Sequence, residues 1–293
     1  MPDGSTMAFT DSPLRYPGGK ASLHPLMRDV IAHNSLRYCR YAEPFAGGAG
    51  LALRLLFDGV VSRIHLNDLD PAIWSFWHCV LERTEELADM IEQVPVTISE
   101  WRRQREIVME GSTADPLDLG FAAFFLNRTN RSGIIKSGGV IGGLDQTGNY
   151  LIDCRFNRSD LAGRVRRIGR YRDRIDLTRL DAAEFLDAFE RDVSGPVFLC
   201  IDPPYFAKGS SLYSNFYRPD DHAVLARRVQ ELRQPWLLTY DDAPRILDLY
   251  GDRRRYRFSI NYSAQNKRQG TELMIVSDDL ELPRSVEARL SAA

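Results

Sequence analysis

Apolar positions along the chain follow two rhythms, one of strands and one of helices. In Arg40–Gly59, RYAEPFAGGAGLALRLLFDG, a short apolar run leads into small residues at 45–50 and then into leucines at helical spacing. This predicts a strand, a glycine loop and an amphipathic helix stopped by Gly59. VSRIHLNDLD follows as a second strand with an acidic end at Asp68 and Asp70. Strand, helix and strand in this order make the βαβ start of a doubly wound sheet. Pro71 then opens a long helical stretch, with helices expected over 72–92, over 99–109 with Ser99 as N-cap, and over 116–127.

The rhythm breaks at RSGIIKSGGVIGGLDQTGNYLIDCRFN, where glycines alternate with β-branched residues and Thr147-Gly148-Asn149 supplies turn material. A β-hairpin or exposed loop is expected there, ordering only on a partner. Helix and strand then alternate again: a basic helix over 159–171, the strand RIDLTRLD, another helix, the strand GPVFLCIDPPY, a helix over 220–233, the strand WLLTYDD, and final strands around RRYRFSINYSA and GTELMIVSD. A single interruption of a βα pattern is best explained by an insertion. The expected organisation is an α/β catalytic domain over 13–71 and 158–282, an inserted subdomain over 72–157, and flexible tails at 1–12 and 283–293.

At 293 residues and 44% hydrophobic content the chain can bury a large core. No apolar run approaches the roughly 18–20 residues that cross a bilayer, and MPDGSTMAFTDSP lacks the basic and apolar regions of a secretory signal, so a cytoplasmic protein is expected. Cys39, Cys79, Cys154 and Cys200 are dispersed, with no C-x-x-C pair and no histidine at ligand spacing. Reduced, buried thiols are expected, and no metal. The net charge of −2 gives no global case for nucleic acid, but 127–179 holds twelve Lys and Arg against five acids, a local balance of +7. A second basic cluster lies at Arg253–Arg257 with Lys267 and Arg268. One-sided surpluses of this kind suit a phosphate-rich partner.

Two motifs carry chemistry. In FAGGAG the small residues let backbone approach a ligand closely at a helix N-terminus, and Asp68, twenty-one residues beyond Gly47 at the end of the next strand, is placed to accept the two hydroxyls of a ribose. The loop lacks the G-x-x-x-x-G-K-[ST] pattern, so a nucleoside without a triphosphate fits better. In CIDPPYF, Pro203 and Pro204 have no N–H and a fixed φ, so the corner presents carbonyls rigidly. Asp202 and the Pro203 carbonyl form an acceptor pair for an exocyclic amino group, and Tyr205 offers a face for a planar base. Holding both amino hydrogens draws the nitrogen lone pair out of conjugation and makes it a nucleophile.

LRYPGGK, EPFAGGAG, HLNDLD, FFLNRTNRSGI, RFN, LDAAEF and CIDPPYF stand in the order found in Dam-type N6-adenine DNA methyltransferases, and the chain resembles that family over roughly 13–280. The resemblance implies S-adenosylmethionine as methyl donor, a Rossmann-like methyltransferase sheet, an inserted helical and β-hairpin DNA-recognition subdomain, and duplex DNA as partner. It implies that Tyr16 and Lys20 line the methionine end of the donor, that Phe45 and Gly47 form its floor, that Asp68 holds its ribose and that Asp181 adjoins its adenine. Asp202, Pro203, Pro204 and Tyr205 would embrace the target adenine, which leaves the duplex by base flipping. The loop FAKGSSLYSNFYRP would close over that base, with Phe206 and Tyr213 as stacking partners.

DNA contacts are implied for Asn127, Arg128, Arg131, Lys136 and Gln146. Arg131 and Ser132 stand where many members have an aromatic residue and an asparagine. Modification or epigenetic marking is the implied role, by a protein able to work as a monomer on DNA. The residues alone leave other amino acceptors open, namely cytosine N4, adenine in RNA or a glutamine amide, and also a non-catalytic DNA-binding regulator.

Overall fold

A computed structural model of the protein describes residues 11–15, 20–192, 194–207, 217–262 and 268–293. Its elements are α1 (His24–His33), β1 (Arg40–Glu43), α2 (Gly50–Phe57), β2 (Arg63–Asn67), α3 (Pro71–Glu82), α4 (Thr84–Gln93), α5 (Ile98–Glu110), α6 (Pro116–Thr129), α7 (Arg158–Gly169), β3 (Ile175–Thr178), α8 (Ala182–Asp192), β4 (Val197–Ile201), α9 (Pro219–Gln230), β5 (Trp236–Asp241), α10 (Pro244–Leu249), β6 (Arg254–Tyr262), β7 (Arg268–Val276), α11 (Arg284–Glu287) and β8 (Ser291–Ala292). The strands form one sheet in the order β3-β2-β1-β4-β5-β7-β6-β8. β1 to β5 are parallel, and β7 runs antiparallel to β5 and β6. The strand order reverses between β1 and β4, which puts the ligand crevice of such a sheet outside their carboxyl ends.

Strands at the centre are buried on both faces, as parallel strands covered by helices must be. In β4 all five residues are buried, Phe198 and Cys200 facing one core and Val197, Leu199 and Ile201 the other. The second core packs under α8 and α9. The first runs without a break from α1 and α2 into α3 to α7, so the inserted helices share a core with the sheet. At the α3–α6 crossing a Cβ on Gly120 would lie 2.7 Å from the Ser75 carbonyl oxygen, so only glycine permits that approach.

Several expectations are revised. The helix expected over 72–92 is two, α3 and α4, and α5 is capped by Thr97, whose hydroxyl accepts the Glu100 N–H, rather than by Ser99. Between α6 and α7 the chain folds as turns closed by a single antiparallel bridge, Asn130–Val140, in place of extended hairpin strands. That segment is packed in the protein alone: Val140 and Ile152 are buried, and Gln146 ties the turns together. The C-terminal segment is not a loose tail, because α11 docks Val286 in the core and β8 pairs with β6. Asp11 and Ser12 are buried, and Asp11 is held by Arg54 at 3.2 Å and Arg167 at 2.8 Å. Cys39, Cys79 and Cys200 are buried, whereas Cys154 is exposed. Among the described residues no helix is long and apolar enough to cross a membrane, and no group of three His, Cys, Asp or Glu side chains is placed to hold a metal.

Candidate active site

The glycine loop begins where Pro44 ends β1. Ala46 N–H continues the pairing toward β2 by donating to Asn67 O at 2.9 Å, and Asn67 donates to the carbonyls of Pro44 and Leu180, each at 3.0 Å. One buried amide therefore joins the ends of β1, β2 and β3. Gly47 turns with φ 46°, and its N–H donates to Asp68 Oδ2 at 2.8 Å while its carbonyl accepts Trp77 Nε1 at 2.8 Å. Trp77 comes from α3, so the first inserted helix holds the loop in shape. Asp68 also accepts the Asp70 N–H at 3.0 Å. Burial, with the Asp70 carboxylate next, pushes Asp68 up to about 7. A half-buried carboxylate beside a glycine loop fits the hydroxyls of a nucleoside.

Phe45 stands edge-on to Tyr217, with ring centroids 5.7 Å apart. The Tyr217 hydroxyl hydrogen-bonds Asp181, which also caps α8 by accepting the Ala183 N–H at 2.9 Å. Phe45, Gly47, Asp68 and Asp181 thus gather at the carboxyl ends of β1 to β3. Tyr217 joins them, although its sequence context marks it only as loop. Tyr16 and Tyr213, with the middle of the loop expected to cover the base, lie outside the described residues.

The CIDPPYF corner leaves β4 beside this group. Asp202 keeps 26% of its side-chain surface open. Its Oδ1 accepts the Thr239 hydroxyl at 2.6 Å, and Lys20 Nζ lies 2.8 Å from Oδ1 and 2.9 Å from Oδ2. Lys20 is itself buried and also reaches Glu272, 3.4 Å away on β7. Its burial opposes the charge, but Asp202 and then Glu272 outweigh that and hold its pKa above the usual lysine value. Lys20 therefore stands at the acceptor corner, a buried ammonium drawn to the pair of carboxylates.

Tyr205 packs into the same corner. Its ring is buried, with 5% exposure, its hydroxyl donates to the buried Glu272, and Lys20 Nζ sits 5.6 Å from its centroid. Pro203 and Pro204 are buried behind it. Asp241, at the end of β5, accepts the N–H groups of Phe206 and Ala207, each at 2.8 Å, and so fixes the chain beyond the corner. Phe206 packs on His222, with centroids 5.1 Å apart. Beneath Asp202, Glu43 accepts the Tyr41 hydroxyl at 2.9 Å and is pushed up to about 8, by burial above all and further by Asp202. Glu43, Thr239 and Glu272 complete a corner of which sequence reading found only the DPPY half. A cavity of about 800 Å³, bounded by His65, Trp74 and Phe185, lies elsewhere and includes neither Asp202 nor Asp68.

The expected DNA contacts divide. Asn127 is fully buried and structural: it accepts the Arg15 N–H at 2.7 Å and donates to the carbonyls of Arg15 at 2.7 Å and Gly133 at 2.9 Å. Gln146 serves its own turn, donating to the carbonyls of Ile141 and Gly143 and accepting the Ile152 N–H at 2.8 Å. Both are consumed by backbone partners and neither is free to read a base. Lys136 pairs with Asp70 at 3.5 Å, and Arg131 is exposed. Arg128 donates to Arg155 O at 2.8 Å and to Pro13 O at 3.4 Å.

Much of the local surplus of charge is likewise engaged. Arg166 meets Glu85, Asp89 and Glu92, Arg158 donates to Val94 O, and Arg174 to Ser62 O and Val61 O. In the second basic cluster Arg253 pairs with Asp278 and Arg257 with Asp242, while Arg254 and Arg255 donate to carbonyls.

A family described as D12 class N6 adenine-specific DNA methyltransferase matches residues 16–267. No curated protein matches the chain significantly. Among solved structures, one from Pyrococcus horikoshii, named as a candidate RNA methyltransferase, is similar at 11% identity and a TM-score of 0.40, covering 94% of this chain and 90% of that one. A SAM-dependent methyltransferase from Agrobacterium tumefaciens is similar at 11% identity and a TM-score of 0.39, covering 89% of this chain and 63% of that one.

Proposed function

Because the chain belongs to the D12 class N6 adenine-specific DNA methyltransferase family, we propose that Asp202 and the Pro203 carbonyl receive the amino group of an adenine turned out of duplex DNA, and that this corner is where N6 is methylated. S-adenosylmethionine supplies a methyl group already activated on a sulfonium. Phe45, Gly47, Asp68, Asp181 and Tyr217 hold that donor at the ends of β1 to β3, with Asp68 toward the ribose. The observation that carries this reading is Asp202 itself, partly open at the strand-order reversal and oriented by Thr239 and Lys20.

Among the described residues Lys20 and Thr239 both contact Oδ1 and Lys20 alone contacts Oδ2, so the amine is received at the lone pair left on Oδ2. Tyr205, pinned by Glu272, walls the corner and keeps the base in line with the methyl, and alignment is most of the catalysis such a transfer needs. Lys20 serves the acceptor side in this account, and Asp202 passes the surplus proton of the methylated amine to solvent. Residues 13–71 and 158–282 carry the chemistry, and 72–157 meet the DNA. Turning the base out costs a few kcal/mol, offset by contacts in the corner and along the strand.

The test is nucleoside mass spectrometry of adenine-unmethylated duplex DNA incubated with protein and donor. N6-methyladenine at a recurring sequence is expected. N4-methylcytosine alone, or modification of RNA and not DNA, would reject the assignment of the acceptor.

A further inference from the structure

Four arginines from three parts of the chain converge where the segment Ser12–Arg15 passes the end of α6. Asn127 clamps that segment through both the N–H and the carbonyl of Arg15. Gly133, at φ 76°, packs so tightly that a Cβ there would lie 2.3 Å from Arg15 O. The backbone at Arg15 is therefore fixed against the inserted segment. Arg128 donates to Pro13 O and Arg155 O, and Arg164 to Ser12 O at 3.1 Å, which brings Arg15, Arg128, Arg155 and Arg164 to one place.

Their acceptors are mostly backbone carbonyls. Among the described residues Asp160 pairs with Arg164 at 2.8 Å. Arg15 Nη1 is buried with no hydrogen-bond partner among the described residues. Burial, then Arg15 and Arg164, disfavours the charge on Arg128, and burial, then Arg155, disfavours that on Arg15. A guanidinium stays protonated all the same, so the crowding persists as repulsion that an anion would relieve.

We propose that Arg15, Arg128, Arg155 and Arg164 form a seat for one backbone phosphate of the DNA strand near the target base. This rests on DNA as the substrate and adds a site to it. A phosphodiester suits the seat better than the donor's carboxylate, because Arg128 and Arg155 belong to the inserted segment, while Gly47 and Asp68 bond to each other. Arg15 stands five residues before Lys20, a span of at most about 18 Å of chain. A phosphate held here would therefore lie within reach of Lys20, whose ammonium contacts Asp202 at 2.8 Å.

The experiment uses the full-length protein with Arg155→Gln and Arg15→Gln, Arg15→Lys keeping the charge. DNA affinity is measured against salt, with S-adenosylmethionine affinity and thermal unfolding in parallel. Arg155 is exposed and its carbonyl, not its side chain, makes the structural contact, so its variant tests the seat even if Arg15→Gln fails to fold. Each Gln variant should weaken DNA binding about fivefold or more and lower the salt slope by part of the roughly 0.9 that a whole phosphate contact carries, since the other arginines still face that phosphate. Donor affinity should stay within about twofold, and Arg15→Lys should retain most of the slope. Duplexes carrying one neutral methylphosphonate should show a single position at which wild type and Arg155→Gln become equal.

An unchanged slope in Arg155→Gln overturns the seat, as does loss of donor affinity with DNA binding intact, which would reassign it to the donor's carboxylate. If wild-type protein methylates no DNA at all, the functional reading fails instead, and the two failures are distinct.

Discussion

Glu272 is a carboxylate with no solvent exposure, in contact with both Lys20 and the Tyr205 hydroxyl, and its substitution tests how the corner is held. Glu272→Gln keeps the shape and removes the charge, while Tyr205→Phe removes the hydroxyl that Glu272 accepts. At 3.4 Å the Lys20–Glu272 attraction is about 5 kcal/mol at an effective dielectric of 20, before desolvation is set against it. Lys20 retains Asp202, so only part of this is lost. A hydrogen bond to a charged group contributes about 1.5–3 kcal/mol, so each single substitution should cost about 2 kcal/mol.

Glu272→Gln leaves the Tyr205 hydroxyl a neutral carbonyl to donate to and Tyr205→Phe removes the donor, so the two act on one contact and the double variant should cost less than their sum, a coupling of about 1 kcal/mol. In thermal melts about 2 kcal/mol corresponds to a fall of roughly 4–8 °C. Turnover should fall about tenfold or more as the corner loosens, with donor affinity unchanged. Costs that add to within about 0.5 kcal/mol would refute the link between Tyr205 and Glu272.

Asn127→Ala, which breaks three buried hydrogen bonds, should destabilise by about 3 kcal/mol in denaturant titration and leave the salt slope of DNA binding near wild type; a changed slope with normal stability would return Asn127 to the DNA surface. Trp77→Phe removes the donor to Gly47 O and should cost about 1 kcal/mol while weakening donor binding severalfold in calorimetry. Asp68 is raised from 3.8 to about 7, so the folded state keeps a proton that the unfolded state has lost. Its contribution to stability falls as pH rises from about 4 through 7, and donor affinity rises over the upper part of that range as the carboxylate ionises. Asp68→Asn should flatten both dependences in melts and calorimetry across that window.

The parallel half of the fold is legible in the chain because β1, β4 and β5 are apolar runs closed by turn-forming or acidic ends, and the spacing of Gly47 and Asp68 foretells that the two meet, the Gly47 N–H donating to Asp68 at 2.8 Å. What pattern reading misses depends on contacts between distant residues. Lys20 and Asp202 are 182 positions apart, and nothing local tells a donor-binding lysine from one bound to a carboxylate. Glu272 left a faint signal, a charge at the head of the apolar run LMIV, which marks a buried carboxylate in need of partners. The resemblance implies DNA contacts for Asn127 and Gln146, yet the backbone around the turns between α6 and α7 takes those amides as partners. The basic surplus over 127–179 is smaller in the fold than in the sequence count, since Glu85, Asp89 and Glu92 on α4 pair with Arg166 from outside the segment.

In the proposed function Asp202 holds the target amine and does not build the donor site. Asp202→Ala leaves Lys20 its second carboxylate, Glu272, so the buried ammonium is not orphaned. Single-turnover methylation of a target duplex, measured beside donor binding to the same variant, should show N6-methyladenine formation reduced about a thousandfold or more, roughly 4 kcal/mol of transition-state stabilisation, and donor affinity within about threefold of wild type. Methylation within tenfold of wild type, or loss of donor binding equal to the loss of rate, would contradict it.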